Sequence, residues 1–280
     1  MMPKARILRT FLAVLLAPLA AYALAAASPK PMFDYRYSYE NYRIWSDEPI
    51  PDEITAVLDD VTRRLRTSSL HERETPVEIF FCNEPWRLWF YGGRFSTQVG
   101  GTANVWLTRQ VFIRASNIPA NRIHTPNGGP LADAAQRLLS YFIAHEITHN
   151  DVSRHFGRTV MLRYPEWLLE GYADYVGKAG DFDFEDNHAL FAAGASALDR
   201  DRSGMYREFH LKVAYLLDKK GWTLEQVFAH PPDEEELDAR LRANRPHMDR
   251  LGPAVDTSIE TQGGIGRRRQ DSQREPWDQD

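Results

Sequence analysis

The sequence is organised around one helical stretch, LLSYFIAHEITHN, at residues 138–150. Residues three and four apart on an α-helix lie on the same face, so Phe142, His145 and His149 form one stripe along it. Apolar residues continue this stripe toward the N-terminus, and the pattern predicts a helix over residues 131–150. The shared stripe indicates that both histidines face the interior of the protein.

The second half of this helix carries the pentapeptide HEITH, residues 145–149, which matches H-E-x-x-H. His145 and His149 are one turn apart, so their imidazole rings can converge on one metal ion. Glu146 projects about 100° around the helix from His145, which lets it reach a water bound to the metal. Zinc lowers the pKa of such a water to roughly 7, and a carboxylate beside it can accept its proton. The motif therefore predicts a site for one Zn²⁺ ion, with Glu146 as the general base.

Two residues are candidates for the third ligand of this site. His155 follows His149 by six residues, which is the spacing of the metzincin pattern H-E-x-x-H-x-x-G-x-x-H. The glycine of that pattern is replaced here by Val152, a β-branched residue that is ill suited to a positive φ. Glu170 follows His149 by 21 residues, within PEWLLEGYADY at residues 165–175. Two histidines and a glutamate are a standard catalytic zinc set that leaves a fourth position for water.

The combination of HEITH with the later pattern W-L-x-E-G-x-A-x-Y resembles the gluzincin zinc metallopeptidases, which include short bacterial peptidase-MA-like domains. The resemblance covers residues 131–220 well and the first half of the chain only in general shape. It implies that His145, His149 and Glu170 bind zinc and that Glu146 is the general base.

Three further polar residues are predicted to assist the site. Asp174 lies four residues after Glu170 and hence on the same helix face, where its carboxylate could accept the second N–H of a ligating histidine. Hydrolysis also needs a group that stabilises the developing oxyanion, and the related enzymes use a tyrosine or histidine from a downstream helix. Tyr206 and His210 are four residues apart on one predicted helix face. Both are candidates for this role, and Tyr206 is preferred.

Substrate binding is predicted at Gly100 and Gly101, which begin the segment GGTAN at residues 100–104. In the gluzincins the substrate backbone commonly pairs with an edge strand of the first lobe, and glycines allow a second backbone to approach closely. A simple turn is the alternative. The aminopeptidases of this group carry G-x-M-E-N, in which the glutamate binds the free amine of the substrate. Residues 101–104 lack that glutamate, so the sequence favours an endopeptidase.

The N-terminal residues have the order of a secretory signal peptide. Lys4, Arg6 and Arg9 are followed by an almost wholly apolar run at residues 11–25 and by small residues up to Ala27, where cleavage is expected. The protein is therefore predicted to be periplasmic or secreted, with no stable membrane span after cleavage. An uncleaved N-terminal anchor is the alternative.

Composition and patterning predict an α+β protein. The chain of 280 residues has a net charge of −5, which argues against binding to nucleic acid. The resemblance to the gluzincins implies a zincin-like fold, with a mixed α/β lobe that contains a sheet, a mainly helical lobe, and the active-site helix between them. The expected divisions are a signal peptide at 1–27, a peptidase domain at 28–250 with lobes at 28–130 and 131–250, and a disordered tail at 251–280. The expected elements are helices at 52–66, 166–178 and 205–219 and strands at 77–81, 99–107 and 111–114.

The patterns together predict a zinc metallopeptidase that hydrolyses peptides or proteins outside the cytoplasm by metal-activated water. Three alternatives stand beside this prediction. One is a catalytically silent zinc-binding module of the cell envelope, and another is a metzincin-like protease with His155 as its third ligand. The third is a zinc hydrolase that cleaves amide bonds in cell-wall material.

Overall fold

Five strands form a mixed sheet in the first half of the chain, and helices dominate the second half. The computed structural model describes residues 4–92, 95–125, 137–198 and 206–243. The first part of the predicted central helix, at 131–136, and the predicted disordered tail, at 251–280, lie outside the described residues. The predicted α+β class is confirmed.

The strands of the sheet are β1 (Tyr35–Tyr39), β2 (Tyr42–Ser46), β3 (Val77–Cys82), β4 (Gly101–Ala103) and β5 (Val111–Arg114), in the spatial order β1-β2-β3-β5-β4. β2, β3 and β5 are parallel, while β1 and β4 run antiparallel to their neighbours. The central strand β3 reads VEIFFC because both of its faces are covered, as in other parallel sheets. β4 forms one edge of the sheet, and it is shorter than the strand predicted over 99–107. A small two-stranded hairpin, β6 (Ser116–Asn117) and β7 (Arg122–Ile123), follows β5.

The described helices are α1 (Lys4–Ala27), α2 (Ile54–Leu65), α3 (Pro85–Tyr91), α4 (Leu139–Phe156), α5 (Val160–Arg163), α6 (Glu166–Lys178), α7 (Phe184–Ala192), α8 (Arg207–Ala214), α9 (Leu224–Ala229) and α10 (Glu234–Ala243). α2 and α6 match the predicted helices closely. The helix predicted over 205–219 is α8 followed by a π-helical turn, Tyr215–Lys219. Among the described residues, no helix combines the length and the apolar character that crossing a bilayer requires.

Helix α4 is the central element of the fold and is buried on every side. All residues from Leu139 to Ser153 are buried, and α4 packs against α2, α6, β4 and β5. A helix that is enclosed all round lies inside a core rather than on a surface. The helix continues past His149 to Phe156 and ends at Gly157, whose φ of 98° suits a residue without a side chain.

Helices α6 and α8 approach each other closely at Gly171. A Cβ atom added at Gly171 would lie 2.5 Å from the carbonyl oxygen of Phe209 and 3.0 Å from Cγ2 of Val213. No side chain fits at this contact, because both distances are shorter than van der Waals contact. The glycine therefore sets the distance between the two helices, next to the candidate ligand Glu170.

Replacing this glycine tests the packing of α6 on α8. Gly171→Ala is expected to lower the free energy of unfolding by about 1–2 kcal/mol, because overpacking costs about 1–3 kcal/mol and the helix-propensity gain is only about 0.5–1 kcal/mol. Urea denaturation measures this loss. Gly180→Ala is the matched control, since a Cβ atom there would meet nothing within 4 Å, and its effect should stay within about 0.5 kcal/mol. Equal losses in the two variants would contradict the steric explanation.

Candidate metal centre

Three side chains from two helices bring their ligand atoms together in the interior. Helix α4 supplies His145 and His149, and helix α6 supplies Glu170. Nε2 of His145 lies 3.2 Å from Nε2 of His149 and 3.2 Å from Oε2 of Glu170, and the remaining pair is 3.5 Å apart. All three residues are buried. Because three ligand atoms from different side chains surround one point, these residues could hold a metal ion.

Helix α6 is positioned by its first turn. Pro165 stands at its N-cap, and Trp167 and Leu168 are only 1% and 0% exposed. Their burial shows that these two residues pack in the core. Glu170 lies on the part of α6 that packs against α4, so its carboxylate reaches the two histidines.

The electrostatics of Glu170 favour its anionic form. Burial raises the pKa of its carboxyl group, but the charge of His149 and the hydrogen bonds from His145 and His149 outweigh burial. Together they hold the pKa of Glu170 well below its usual range. The carboxylate is therefore ionised at neutral pH, as a metal ligand must be.

His155, the alternative third ligand, does not belong to the group that His145, His149 and Glu170 form. It is on the same helix as His149, and six residues correspond to a rotation of about 240° on a continuous helix. Its side chain is exposed, and its ring lies against Phe156 with the ring centroids 4.6 Å apart. In the metzincin pattern the chain turns at a glycine, but Val152 keeps the helix intact.

Glu146 faces the same space as the three candidate ligands. It is 8% exposed and lines a cavity of about 490 Å³ together with His145, His149 and Glu170. Glu146 adjoins the three candidate ligands without belonging to their group. The geometry thus brings a carboxylate beside the candidate metal position.

Asp174 is buried beside the site, but its partners differ from the predicted one. Its Oδ1 accepts a hydrogen bond from the hydroxyl of Tyr141 at 2.5 Å. Its Oδ2 accepts one from Nζ of Lys178 at 2.5 Å and lies 3.1 Å from Nδ1 of His210. The partners of Asp174 described here are thus Tyr141, Lys178 and His210, and the candidate ligand His145 is not one of them. Nδ1 of His145 has no hydrogen-bond partner among the described residues.

The two candidates for oxyanion stabilisation occupy different places. His210 is 1% exposed, stacks on Phe182 with ring centroids 3.6 Å apart, and does not line the cavity. Its Nδ1 instead lies 3.1 Å from Oδ2 of Asp174, behind the site. Tyr206 does line the cavity, and its ring stacks on His145 with centroids 5.7 Å apart. Its φ of 61° is unusual for a tyrosine, and such conformations are enriched at functional sites.

Gly100 and Gly101 line the cavity, and the second of them begins the edge strand β4. A Cβ atom on Gly100 would lie 2.5 Å from the ring of Phe142, and one on Gly101 would lie 3.0 Å from Cγ of Glu146. The glycines are thus required by the close passage of α4. This packing reason adds to the predicted role in admitting a substrate backbone.

Tyr141 is a site residue that the sequence analysis missed. Its hydroxyl binds Asp174, and its ring lies 5.8 Å from that of His145 between centroids. It therefore connects the buried acid of α6 to a candidate ligand of α4. The available signal was its position four residues before His145, which places it on the same helix face.

No family model matches this chain, and no curated protein matches it either.

Proposed function

We propose that this protein is a zinc-dependent metallopeptidase of the gluzincin type that hydrolyses peptide bonds, as an endopeptidase. The observation that carries the proposal is the convergence of His145, His149 and Glu170 on one point, with Glu146 in the wall of the same cavity. A structural zinc site would need a closed ligand shell, whereas three protein ligands beside a cavity are typical of catalytic sites.

The distances among the three ligand atoms suit zinc. Zinc binds histidine nitrogen and carboxylate oxygen at about 2.0–2.2 Å in tetrahedral sites, so two of its ligands lie about 3.3–3.6 Å apart. The separations of 3.2, 3.2 and 3.5 Å are close to this range. Two imidazoles and one carboxylate are also a donor set that zinc commonly has in hydrolases.

The side chains around the site supply the steps of proton transfer. Zinc, when bound, would act as a Lewis acid and lower the pKa of a coordinated water to roughly 7. The carboxylate of Glu146 accepts a proton from the attacking water and passes it to the nitrogen of the leaving amine. The hydroxyl of Tyr206 donates a hydrogen bond to the oxygen of the scissile carbonyl as negative charge develops there.

The edge strand β4 offers backbone groups to a peptide substrate. The N–H of Arg114 bonds to the carbonyl of Gly100, and the N–H of Asn104 bonds to the carbonyl of Gln110. Because bonding alternates along an antiparallel ladder, the backbone groups of the intervening Gly101 point toward the outer edge. We infer that an extended substrate adds to this edge and lies across the cavity.

A peptide library tests the proposed function. The zinc-loaded protein is expected to cut peptides at internal bonds, to stop after chelation, and to recover with about one equivalent of zinc, as mass spectrometry of the products would show. A protein that holds one zinc ion and cuts no peptide would support the silent envelope module instead. Release of fragments from cell-wall material alone would support the amidase alternative.

A further inference from the structure

The C-terminal end of helix α1 enters the cavity that contains the candidate metal centre. Tyr22 and Ala26 of this helix line the cavity together with His145 and Glu146, and Ala26 is buried. The side chains described in α1 before Tyr22 are all exposed. Among the described side chains, α1 therefore meets the rest of the chain only near its end. This is the segment that the sequence predicts to be a signal peptide.

The side chain of Tyr22 fills a pocket made by two aromatic residues. Its ring lies edge-on to the ring of Phe90, with centroids 5.2 Å apart and an interplanar angle of 80°, and its centroid is 5.6 Å from that of Phe95. Its hydroxyl donates a hydrogen bond of 2.9 Å to the carbonyl oxygen of Phe90. Edge-to-face ring contacts are favourable, and a tyrosine hydroxyl that leaves water needs a partner. The rings of Phe90 and Phe95 and the carbonyl of Phe90, here called the aromatic pocket, thus match both parts of a tyrosine side chain.

The acceptor in the aromatic pocket comes from the end of helix α3. Phe90 lies in the last turn of this helix, which ends at Tyr91. The last four carbonyl groups of an α-helix have no partner within the helix. The acceptor is therefore a feature of α3 itself, and it is available to any phenolic hydroxyl that enters the pocket.

The aromatic pocket continues into an exposed aromatic surface. Trp86 and Trp89 of α3 are 45% and 44% exposed, and Phe95 is 53% exposed. The rings of Trp89 and Phe95 meet edge-on with centroids 5.0 Å apart. Exposed apolar patches of this kind mark sites for ligands. Because Phe95 also lines the cavity, a peptide that lies in the cavity is within reach of the aromatic pocket.

We propose that the aromatic pocket binds a tyrosine side chain of the peptide substrate, and that Tyr22 competes for the pocket while α1 is attached. That this ligand is a substrate rests on the proposed function, whereas the affinity of the pocket for tyrosine does not. An intramolecular competitor lowers the apparent affinity for a ligand by the fraction of time for which the pocket is open. The chain that retains α1 therefore binds tyrosine-containing peptides more weakly than one in which Tyr22 is replaced.

Calorimetric titration of the full chain with N-acetyltyrosinamide, without added zinc, tests the proposal. Tyr22→Ala is expected to bind this amide at least tenfold more tightly than the wild type, since the competing side chain is gone. Tyr22→Phe keeps the competing ring and should bind it about as weakly as the wild type does. Tyr35→Ala removes an exposed tyrosine from β1 and should leave the affinity of the wild type unchanged.

The chemical class of the ligand is tested with two further amides on Tyr22→Ala. N-acetylphenylalaninamide is expected to bind about fivefold more weakly than the tyrosine amide, which is the factor of one neutral hydrogen bond. N-acetylleucinamide, which lacks an aromatic ring, should bind more weakly still. Phe95→Ala combined with Tyr22→Ala should lose most of the gain in affinity, because one wall of the aromatic pocket is then missing.

Two results would overturn the proposal. Equal affinity of the wild type and Tyr22→Ala for the tyrosine amide would show that Tyr22 does not compete for a ligand site. Equal binding of the leucine and tyrosine amides would reduce the pocket to a general apolar surface. Circular dichroism checks that each variant is folded. Peptide cleavage is scored separately, so that a Tyr22→Ala protein that binds the tyrosine amide and cuts no peptide would support the aromatic pocket and contradict the peptidase function.

Discussion

Glu146→Gln is expected to lower kcat for peptide hydrolysis about 10³-fold while one zinc ion per chain stays bound. The amide keeps the size and polarity of the side chain but cannot accept a proton, and general base catalysis contributes roughly 10²–10⁴-fold. Zinc is retained because Glu146 supplies none of the three ligand atoms that converge on the metal position. Single-turnover kinetics and metal analysis of the same protein sample measure the two quantities together.

Two further variants provide comparisons for the effect of Glu146→Gln on kcat. Glu225→Gln changes an exposed glutamate on α9 and should leave kcat unchanged. Tyr206→Phe should lower kcat less than Glu146→Gln does, by about 10²-fold, because one hydrogen bond to the oxyanion is lost while the base remains. Undiminished turnover in Glu146→Gln would assign water activation to another group. Loss of zinc from that variant would make Glu146 a ligand rather than a base.

Spacing along the chain predicted the pairing of the candidate ligands His145 and His149 because that geometry is local. His145 and His149 are one helical turn apart, and their relation depends on the helix alone. Glu170 required the second helix to pack on the first, and the apolar residues Trp167 and Leu168 before it made that packing predictable. The same reasoning placed the helices at 52–66 and 166–178, where apolar residues recur at helical spacing.

Spacing along the chain did not predict the contacts of a side chain whose partner lies on a third helix or strand. Asp174 lies on the predicted face of α6, but the residue that contacts it, His210, comes from α8. The spacing of residues along the chain does not predict which helix packs against this face. His210 therefore became a candidate for oxyanion stabilisation when its actual partner is the acid behind the site. The helix Phe184–Ala192 was missed for a related reason, since FEDNHALFA has few apolar residues at helical spacing.

Gly100 and Gly101 illustrate a different limit. The sequence shows that these two positions lack side chains. The reason is that Phe142 and Glu146, about forty residues later in the chain, pack closely against them. Only the folded structure brings these residues together. A substrate strand and the neighbouring helix both explain a glycine, and the two explanations are compatible at an edge strand that lines a cavity.

Removal of the third ligand is expected to have the largest effect on metal binding. Glu170→Ala should weaken zinc binding at least 10²-fold, because it leaves two histidines and removes the only anionic ligand of the set. His155→Ala is the matched control, since His155 is exposed on the same helix as the other ligands and outside the site. Competition with a chromophoric chelator measures both affinities. Zinc retained in Glu170→Ala and lost from His155→Ala would reverse the ligand assignment.

The same pair of variants separates metal binding from folding. A ligand that binds only the folded state stabilises it by about 4 kcal/mol at a concentration 1,000 times its Kd, so zinc should raise the Tm of the wild type and of His155→Ala. Glu170→Ala should show little rise at the same zinc concentration, even though its apo form stays folded. The apo form is expected to survive because α4 is buried by α2, α6 and the sheet independently of the metal. If chelation unfolded the wild type, the three residues would form a structural rather than a catalytic site, because a structural zinc contributes folding energy outright.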